Sequence, residues 1–431
     1  MIDSLVIGAG VAGLAAAREL SAAGADFLVL EARERIGGRI YTVRDSRSPV
    51  PIELGAEFVH GAAPETMEIV RAANLRAIDV SGDHWQVRGG KLRPFEDFWH
   101  EIDLVMRRID TAEPDRSFAR FLESAPGGRS LARQRVLALE FVQGFHAADA
   151  EVISALALAE GGSPGEDPEQ QRMGRVLDGY DRVPATISQG LLDRIQTGSV
   201  VSRVGWERGR VRVTLADGRE LGARTALITV PLGVLLARDL VVEPSVPTVE
   251  GALRCLAVGT VIRISLLFEK AFWEDRPEVA AGGARPYDFG FLHASKEEIP
   301  VWWTSYPARA PVIVGWVGGP MARALDGRSP DDLTALALRI LSRLFRVAPG
   351  RLRRLLQGSW THDWDHDPYA RGAYSYPRVN GMEAGRLLAR PVARTLFFAG
   401  EAADPEGRNG TVDGALASGK RAARAVIRAL A

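Results

Sequence analysis

Cysteine occurs once in the 431 residues, at Cys255. A single thiol cannot close an intrachain disulfide, so no disulfide framework is available and a reducing compartment is compatible. Net charge is missing too: 54 Lys and Arg balance 54 Asp and Glu. That balance excludes a broad polyanion-binding surface. No run of 18 uninterrupted apolar residues occurs, so a membrane-spanning helix is not expected. The chain opens on Met1-Ile2-Asp3 and passes straight into a strand-like run, without the basic and apolar regions of a secretory signal. The expected location is the cytoplasm. Internal repeats and low-complexity segments are absent as well. What is present has the balance of a globular chain, 46% hydrophobic and 25% charged. At roughly 100–200 residues per domain, the length predicts two or three domains.

Leu5-Val6-Ile7 reads as a short buried strand. A glycine cluster follows, Gly8-Ala9-Gly10-Val11-Ala12-Gly13, then an alanine-rich helical run to about Ala23. A second apolar strand, Phe27 to Leu30, ends at Glu31. Strand, helix and strand in this order imply a parallel pair. Gly89-Gly90 and the aromatic-rich stretch Pro94 to His100 lie outside this unit. From about 98 to 160 the pattern is mostly helical, with a break at Pro126-Gly127-Gly128 and a loop at Gly161 to Pro168. Arg210 to Leu215 alternates, Asp217-Gly218 turns and Glu220 onward returns, which is a hairpin. Thr225 to Val230 reads as another buried strand, stopped by Pro231. Val261 to Phe268 is a strand, Asp331 to Phe345 an amphipathic helix, Leu396 to Ala399 a short strand, and a last helix runs from about Thr411.

The glycine cluster carries chemistry because of its setting. Gly8 permits a tight turn, Gly10 lets backbone approach a pyrophosphate, and Gly13 allows close packing of helix on strand. The helix start, including Ala12, presents unpaired N–H groups to phosphate. Glu31 stands 18 residues past Gly13, where a carboxylate accepts ribose hydroxyls. A second glycine pair, Gly37-Gly38, precedes Arg39. A nicotinamide fold does not need it, whereas an FAD fold uses it to pass the longer cofactor's pyrophosphate, with Arg39 neutralising phosphate.

Beyond these, the chain carries Glu53-Leu54-Gly55-Ala56-Glu57-Phe58-Val59-His60-Gly61, Val230-Pro231-Leu232-Gly233-Val234-Leu235, Arg371-Gly372-Ala373-Tyr374-Ser375-Tyr376, Phe398-Ala399-Gly400-Glu401 and Gly410-Thr411-Val412-Asp413-Gly414-Ala415. With the two glycine motifs, these make the sequence resemble the flavin amine oxidase superfamily over nearly its whole length. That group includes monoamine oxidases, polyamine oxidases and flavin-dependent histone lysine demethylases; the later motifs are most similar to the polyamine oxidase and demethylase branch.

The resemblance implies an α/β fold in which a Rossmann-like, glutathione-reductase-type FAD domain interleaves with a mixed α+β substrate domain. The FAD domain is expected at 1–80, 177–252 and 367–431, and the substrate domain at 81–176 and 253–366. It implies that Ala32, Arg33, Gly55, Ala56, Glu57, Val201, Trp364, Tyr369, Gly400, Glu401, Thr411 and Val412 border the cofactor with the glycine motifs. His60, Tyr374, Thr411 and Trp303 are expected around the reacting amine. A covalent flavin link is not expected, because Ala373 stands where monoamine oxidases carry the linking cysteine. The family's lysine near flavin N5 falls ten residues before a Phe-Trp pair; here Phe272-Trp273 places Arg263 there, which puts efficient reaction with oxygen in doubt.

The expected activity is oxidation of an amine C–N bond by hydride transfer, with an imine that hydrolyses and oxygen as the acceptor that yields peroxide. A flavin desaturase or dehydrogenase of an apolar non-amine, and an FAD-binding interaction protein without turnover, remain open. His362 and His366 among aspartates suggest a metal site, but Trp364 and Asp367-Pro368 already have places in the resemblance, so none is expected. Lys420, Arg424 and Arg428 sit near a helix C-terminus, where cations are favoured, and Arg343, Arg346, Arg351, Arg353 and Arg354 read as a solvated face, so no nucleic-acid partner is expected.

Overall fold

The computed structural model describes residues 2–80, 83–161, 172–281 and 289–431. All of the expected loop at Gly161 to Pro168 except Gly161 lies outside them.

Two large sheets organise the chain. The first has eight strands, in the order Ile195–Gln196, Phe27–Leu30, Ile2–Ile7, Glu220–Ile228, Arg210–Leu215, Val201–Glu207 and Val241–Glu243, with Leu396–Phe398 also paired to Glu220–Ile228. Ile2–Ile7 lies parallel between Phe27–Leu30 and Glu220–Ile228. The hairpin return and the strand expected at Thr225 prove to be one element. Its residues Glu220 to Ala223 pair antiparallel with the hairpin partner, and Ala226 to Ile228 pair parallel with Leu396–Phe398. Burial changes accordingly, from exposed at Glu220 to continuously buried from Thr225 to Ile228, because both faces are covered only in the second half.

The helix Val11–Ala22 covers this sheet beside the last helix, Val412–Leu430. The two approach closely because small residues meet there. A Cβ added at Gly419 would stand 2.1 Å from the Ala12 carbonyl oxygen. Ala12, Ala15, Ala16 and Ala17 are all buried.

The second sheet has seven strands, in the order Leu356–Trp360, Val261–Phe268, Val312–Gly318, Val301–Thr304, Phe291–His293, His84–Arg88 and Lys91–Pro94. Val261–Phe268 is buried on both faces. Ile264, Leu266 and Phe268 join the cluster under the helix Pro330–Phe345, while Leu267 joins Trp303, Val312 and Val314 on the other side. Period-2 alternation therefore sends Arg263 toward that second side, where the cavity described below lies. A helical layer that includes Phe98–Met106, Phe118–Glu123, Ala132–Phe145 and Ala155–Glu160 forms a separate apolar cluster. Smaller sheets stitch the parts together: Phe58–His60 and Ala77–Asp79 both pair with Met173–Val176, and Leu256–Val258 pairs with Ser375–Pro377. Among the described residues no helix is long and apolar enough to cross a membrane.

Candidate active site

A cavity of about 860 Å³ runs between the two sheets. With one exception, every site residue expected from the sequence lines it. The exception is Gly13, whose added Cβ would stand 1.9 Å from the Gly8 carbonyl oxygen, so its place is in the helix–strand packing. Gly8 has φ +106°, open to glycine, and a Cβ there would meet Thr229 Oγ1 at 2.7 Å. Thr229 also donates to the Ile7 carbonyl at 2.9 Å; no motif in the sequence marked it. Gly10 has open space beside it. No side chain caps the helix that starts at Val11, so its first N–H groups are free to meet an anion.

At one end of the cavity Glu31 is 5% exposed. Its Oε2 accepts from the Ala9 N–H at 2.7 Å and its Oε1 from the Arg33 N–H at 2.9 Å. Burial raises its pKa above the ordinary carboxylate value, and those two hydrogen bonds oppose the rise. Ala32, Val201 and Tyr369 line the same end. Arg33 bonds Asp367 at 2.8 Å and lies over the Tyr369 ring. The second glycine loop is tied to the first by a hydrogen bond from the Gly37 N–H to the Ala9 carbonyl at 2.9 Å.

Arg39 reaches across to the C-terminal part of the chain. It donates to the Ala373 carbonyl at 2.6 Å and to Glu401 at 3.0 Å. Burial pushes the Glu401 pKa up, but Arg39 and the hydrogen bonds from Ser375 and Gly410 outweigh it and hold the carboxyl below its ordinary value. Gly400 (φ +129°) precedes it on the wall. At Gly55 an added Cβ would stand 1.9 Å from the Arg39 carbonyl oxygen and 3.2 Å from the Trp364 ring. Trp364 donates to the Leu54 carbonyl at 2.9 Å. Thr411 caps the last helix, its Oγ1 accepting from the Gly414 N–H at 2.9 Å, and Ala56 and Val412 lie on the wall nearby in the cavity.

The other end is aromatic. Tyr374 donates its hydroxyl to the Phe145 carbonyl at 2.6 Å, and the Phe145 ring meets His60 edge-on at 5.4 Å. Phe58 and Trp303 stand 5.6 Å apart. His60 and His146 are each pushed by burial to a pKa of about 4, and burial raises the Tyr374 hydroxyl above its ordinary value. These three groups are therefore neutral at neutral pH. Phe145 and His146 belong to the helical layer and carried no signal of their own in the sequence.

Arg263 and Glu57, separate candidates in the sequence, form one buried cluster with Arg175. Arg263 Nη2 lies 2.5 Å from Glu57 Oε2, and its Nη1 donates to the Gly55 carbonyl at 3.2 Å. Arg175 Nε donates to Glu57 Oε1 at 2.8 Å, and Trp303 Nε1 donates to Glu57 Oε2 at 3.2 Å. Burial pushes the Glu57 pKa up, yet the two guanidinium groups prevail and hold it below the ordinary value. Glu57 thus offsets one of the two buried positive charges and is shared between them. Arg175 lies 118 positions from Glu57, too far for local pattern to connect them. His362 bonds Asp367 at 2.7 Å and His366 bonds Asp363 at 2.9 Å; among the described residues no group of three or more metal-ligating side chains forms.

The open Gly10, the uncapped helix start and the glycine-lined walls fit a dinucleotide with a ring system lying past Gly55 toward the aromatic end. Comparisons with known proteins identify the family. A model of the family described as "Flavin containing amine oxidoreductase" matches residues 11–427. Polyamine oxidase 4 of Oryza sativa subsp. japonica is 28% identical over 97% of this chain and 87% of its own length. Lysine-specific histone demethylase 1 homolog 3 of Arabidopsis thaliana is 28% identical over 98% of this chain, which spans 30% of that protein. The fold is shared with putrescine oxidase solved with putrescine bound (TM-score 0.81, 22% identity, 99% of both chains). It is shared equally with cyclohexylamine oxidase from Brevibacterium oxydans IH-35A (TM-score 0.80, 22% identity, 99% of both chains). The chain belongs to the flavin-containing amine oxidoreductases, which makes it a flavin enzyme that oxidises amines.

Proposed function

We propose that this enzyme oxidises the C–N bond of a neutral amine held at the aromatic end of the cavity, with FAD bound non-covalently along the rest of it. The observation that carries this reading is the continuity of the cavity from Glu31 through Gly55 to His60, Trp303 and Tyr374. FAD, when bound, supplies a hydride acceptor at N5. Glu31, the Val11 helix start and Arg39 hold the nucleotide part. Thr411 and the N-terminus of the last helix face the ring end, where a positive dipole favours developing negative charge. His60, His146 and Tyr374 are uncharged and leave the reacting nitrogen in its free-base form. The aromatic walls exclude water and orient the C–H bond that breaks. The imine then hydrolyses to a carbonyl compound and an amine or ammonia, and oxygen takes the electrons to form peroxide.

Anaerobic addition of a panel of amines to the yellow protein tests this. Bleaching of the flavin by amines is expected. Bleaching by apolar non-amines instead would assign a desaturase or dehydrogenase, and no bleaching by either would leave a protein that binds FAD without turnover.

A further inference from the structure

Two guanidinium groups share Glu57, and each keeps a donor that nothing in the cluster accepts. Arg175 turns Nε and Nη2 to Glu57, at 2.8 and 2.7 Å, and Nη2 also donates to the Thr304 carbonyl at 3.2 Å. Its Nη1, on the other edge of the guanidinium, is buried and has no partner among the described residues. Arg263 gives Nη2 to Glu57 and Nη1 to the Gly55 carbonyl, and its Nε is likewise buried and unpartnered. Arg175 is 8% exposed and Arg263 4%. Donors so deeply buried are rarely left unpaired, because their lost hydration must be replaced.

Both side chains line a second, smaller cavity of about 30 Å³. Glu57, Arg263 and Trp303 are walls of both cavities, so Arg263 stands between the small one and the large one. The volume takes one or two occupants of water size, at roughly 10–15 Å³ each. Val50, Pro51 and Ala308 line it too and are only partly buried, which gives a small ion a short way in from solvent. The ionisable groups on its walls are Arg175, Arg263, Glu57 and Glu53. The guanidinium groups stay charged at any working pH, and they hold Glu57 ionised. Burial pushes Glu53 to a pKa of about 7. Below that pH Glu53 is mostly neutral, and the walls carry one positive charge in excess. A water molecule would accept from an unpaired N–H and leave that charge uncompensated. An anion does both, and a buried charge is costly until a counter-charge meets it.

We infer that the small cavity binds a single monovalent anion of about the size of chloride, held by Arg175 Nη1 and Arg263 Nε. Sulfate and phosphate, each with four oxygens around a central atom, are too large for it. The anion fixes Arg263 from the side opposite the large cavity and withdraws positive field from the wall that the two cavities share. This site is independent of which substrate the large cavity takes.

Bromide is the probe, because it is close to chloride in size and scatters X-rays anomalously. Crystals of the FAD-loaded enzyme grown at pH 6 in sodium bromide should show an anomalous peak inside the small cavity, beside Arg175 Nη1. In solution, thermal unfolding is followed at pH 6 and constant ionic strength while bromide replaces gluconate, which is too bulky to enter. The midpoint should rise by roughly 1–2 °C for each tenfold of bromide beyond half-saturation. Arg175→Met removes one donor and the excess charge together, and should abolish the rise. Absence of a bromide peak from the cavity would overturn the assignment and leave water as the occupant. A peak without any bromide-dependent midpoint would also overturn it, as occupancy at crystal concentration only. A rise that persists at full size in Arg175→Met would place the ion elsewhere and overturn it as well. Should that variant fail to fold, the peak and the midpoint of the parent decide the question.

Discussion

Glu53 sits behind the Arg263–Glu57 pair and is 6% exposed. Its carboxylate accepts from Thr42 Oγ1 at 2.6 Å and from the Tyr180 N–H at 2.8 Å. Burial pushes its pKa from the ordinary 4.5 to about 7; the two hydrogen bonds and Arg263 oppose the rise, and the Glu57 charge adds to it. In the unfolded chain the same group ionises through 4.5. Between those two values the unfolded state has released its proton and the folded state has not. The stability contributed by this group is therefore fully present below pH 4.5 and is lost as pH rises through about 7. At 1.36 kcal/mol per pH unit the loss amounts to about 3 kcal/mol. Glu53→Gln cannot titrate. Its amide oxygen accepts from the Tyr180 N–H and its NH2 donates to the Thr42 hydroxyl, the one-donor, one-acceptor pattern of the protonated carboxyl. Urea unfolding followed by tryptophan fluorescence, at a series of pH values from 5 to 8, measures the difference. The variant should be about as stable as the parent at the acid end and more stable than it by up to about 3 kcal/mol at pH 8. A stability difference between variant and parent that is the same at both ends would refute the reasoning, because it would mean that Glu53 ionises alike in the folded and unfolded chains.

Other expectations follow from the cavity walls. Ala373 offers no nucleophile, so acid precipitation should leave the flavin in the supernatant; a yellow pellet would contradict this. Glu31→Ala and Arg39→Ala should each weaken FAD binding by roughly tenfold or more, from charge-assisted hydrogen bonds worth about 1.5–3 kcal/mol; flavin content after dialysis measures it, and full occupancy in both variants would remove this placement of the cofactor. Arg263→Lys should speed reoxidation of the reduced enzyme by oxygen while changing anaerobic reduction by an amine much less, since the compact, strongly hydrated ammonium holds water where the planar guanidinium, clasped by Glu57, does not. Stopped-flow absorbance separates the two halves, and unchanged reoxidation would mean that Arg263 does not limit the oxygen step.

Much of the nucleotide end was legible because its determinants are local. A turn, an open approach and a close helix–strand contact each demand glycine at a fixed offset, so Gly8, Gly10 and Gly13 could be assigned from spacing alone. The strands Phe27–Leu30 and Val261–Phe268 fall where their apolar runs place them. The strand Glu220–Ile228 was harder. It changes partners midway, and its pattern changes from alternating to continuous, so one element reads as two. The aromatic end was legible only through resemblance. His60, Trp303 and Tyr374 are ordinary core types, and their neighbour Phe145 comes from a helix whose sequence gives no hint of a cavity. The partners of Glu57 were out of reach for a simpler reason: Arg175 and Arg263 are brought to it by strands of two different sheets.

The first and last thirds of the chain meet in one groove, and this sets an order of events during synthesis. Gly8, Gly10 and Arg39 are made well before Glu401, the carboxylate that Arg39 bonds, and Thr411, which caps the helix lying on Val11–Ala22. The strand Leu396–Phe398, which completes the sheet beside Ile228, also comes late. A ribosome adding about 5–20 residues per second needs on the order of tens of seconds to travel between them. For that interval the glycine loops stand without their opposite wall. A flavin bound along this groove, as proposed above, therefore finds its full site only after the segment from Glu401 to Thr411 has been made.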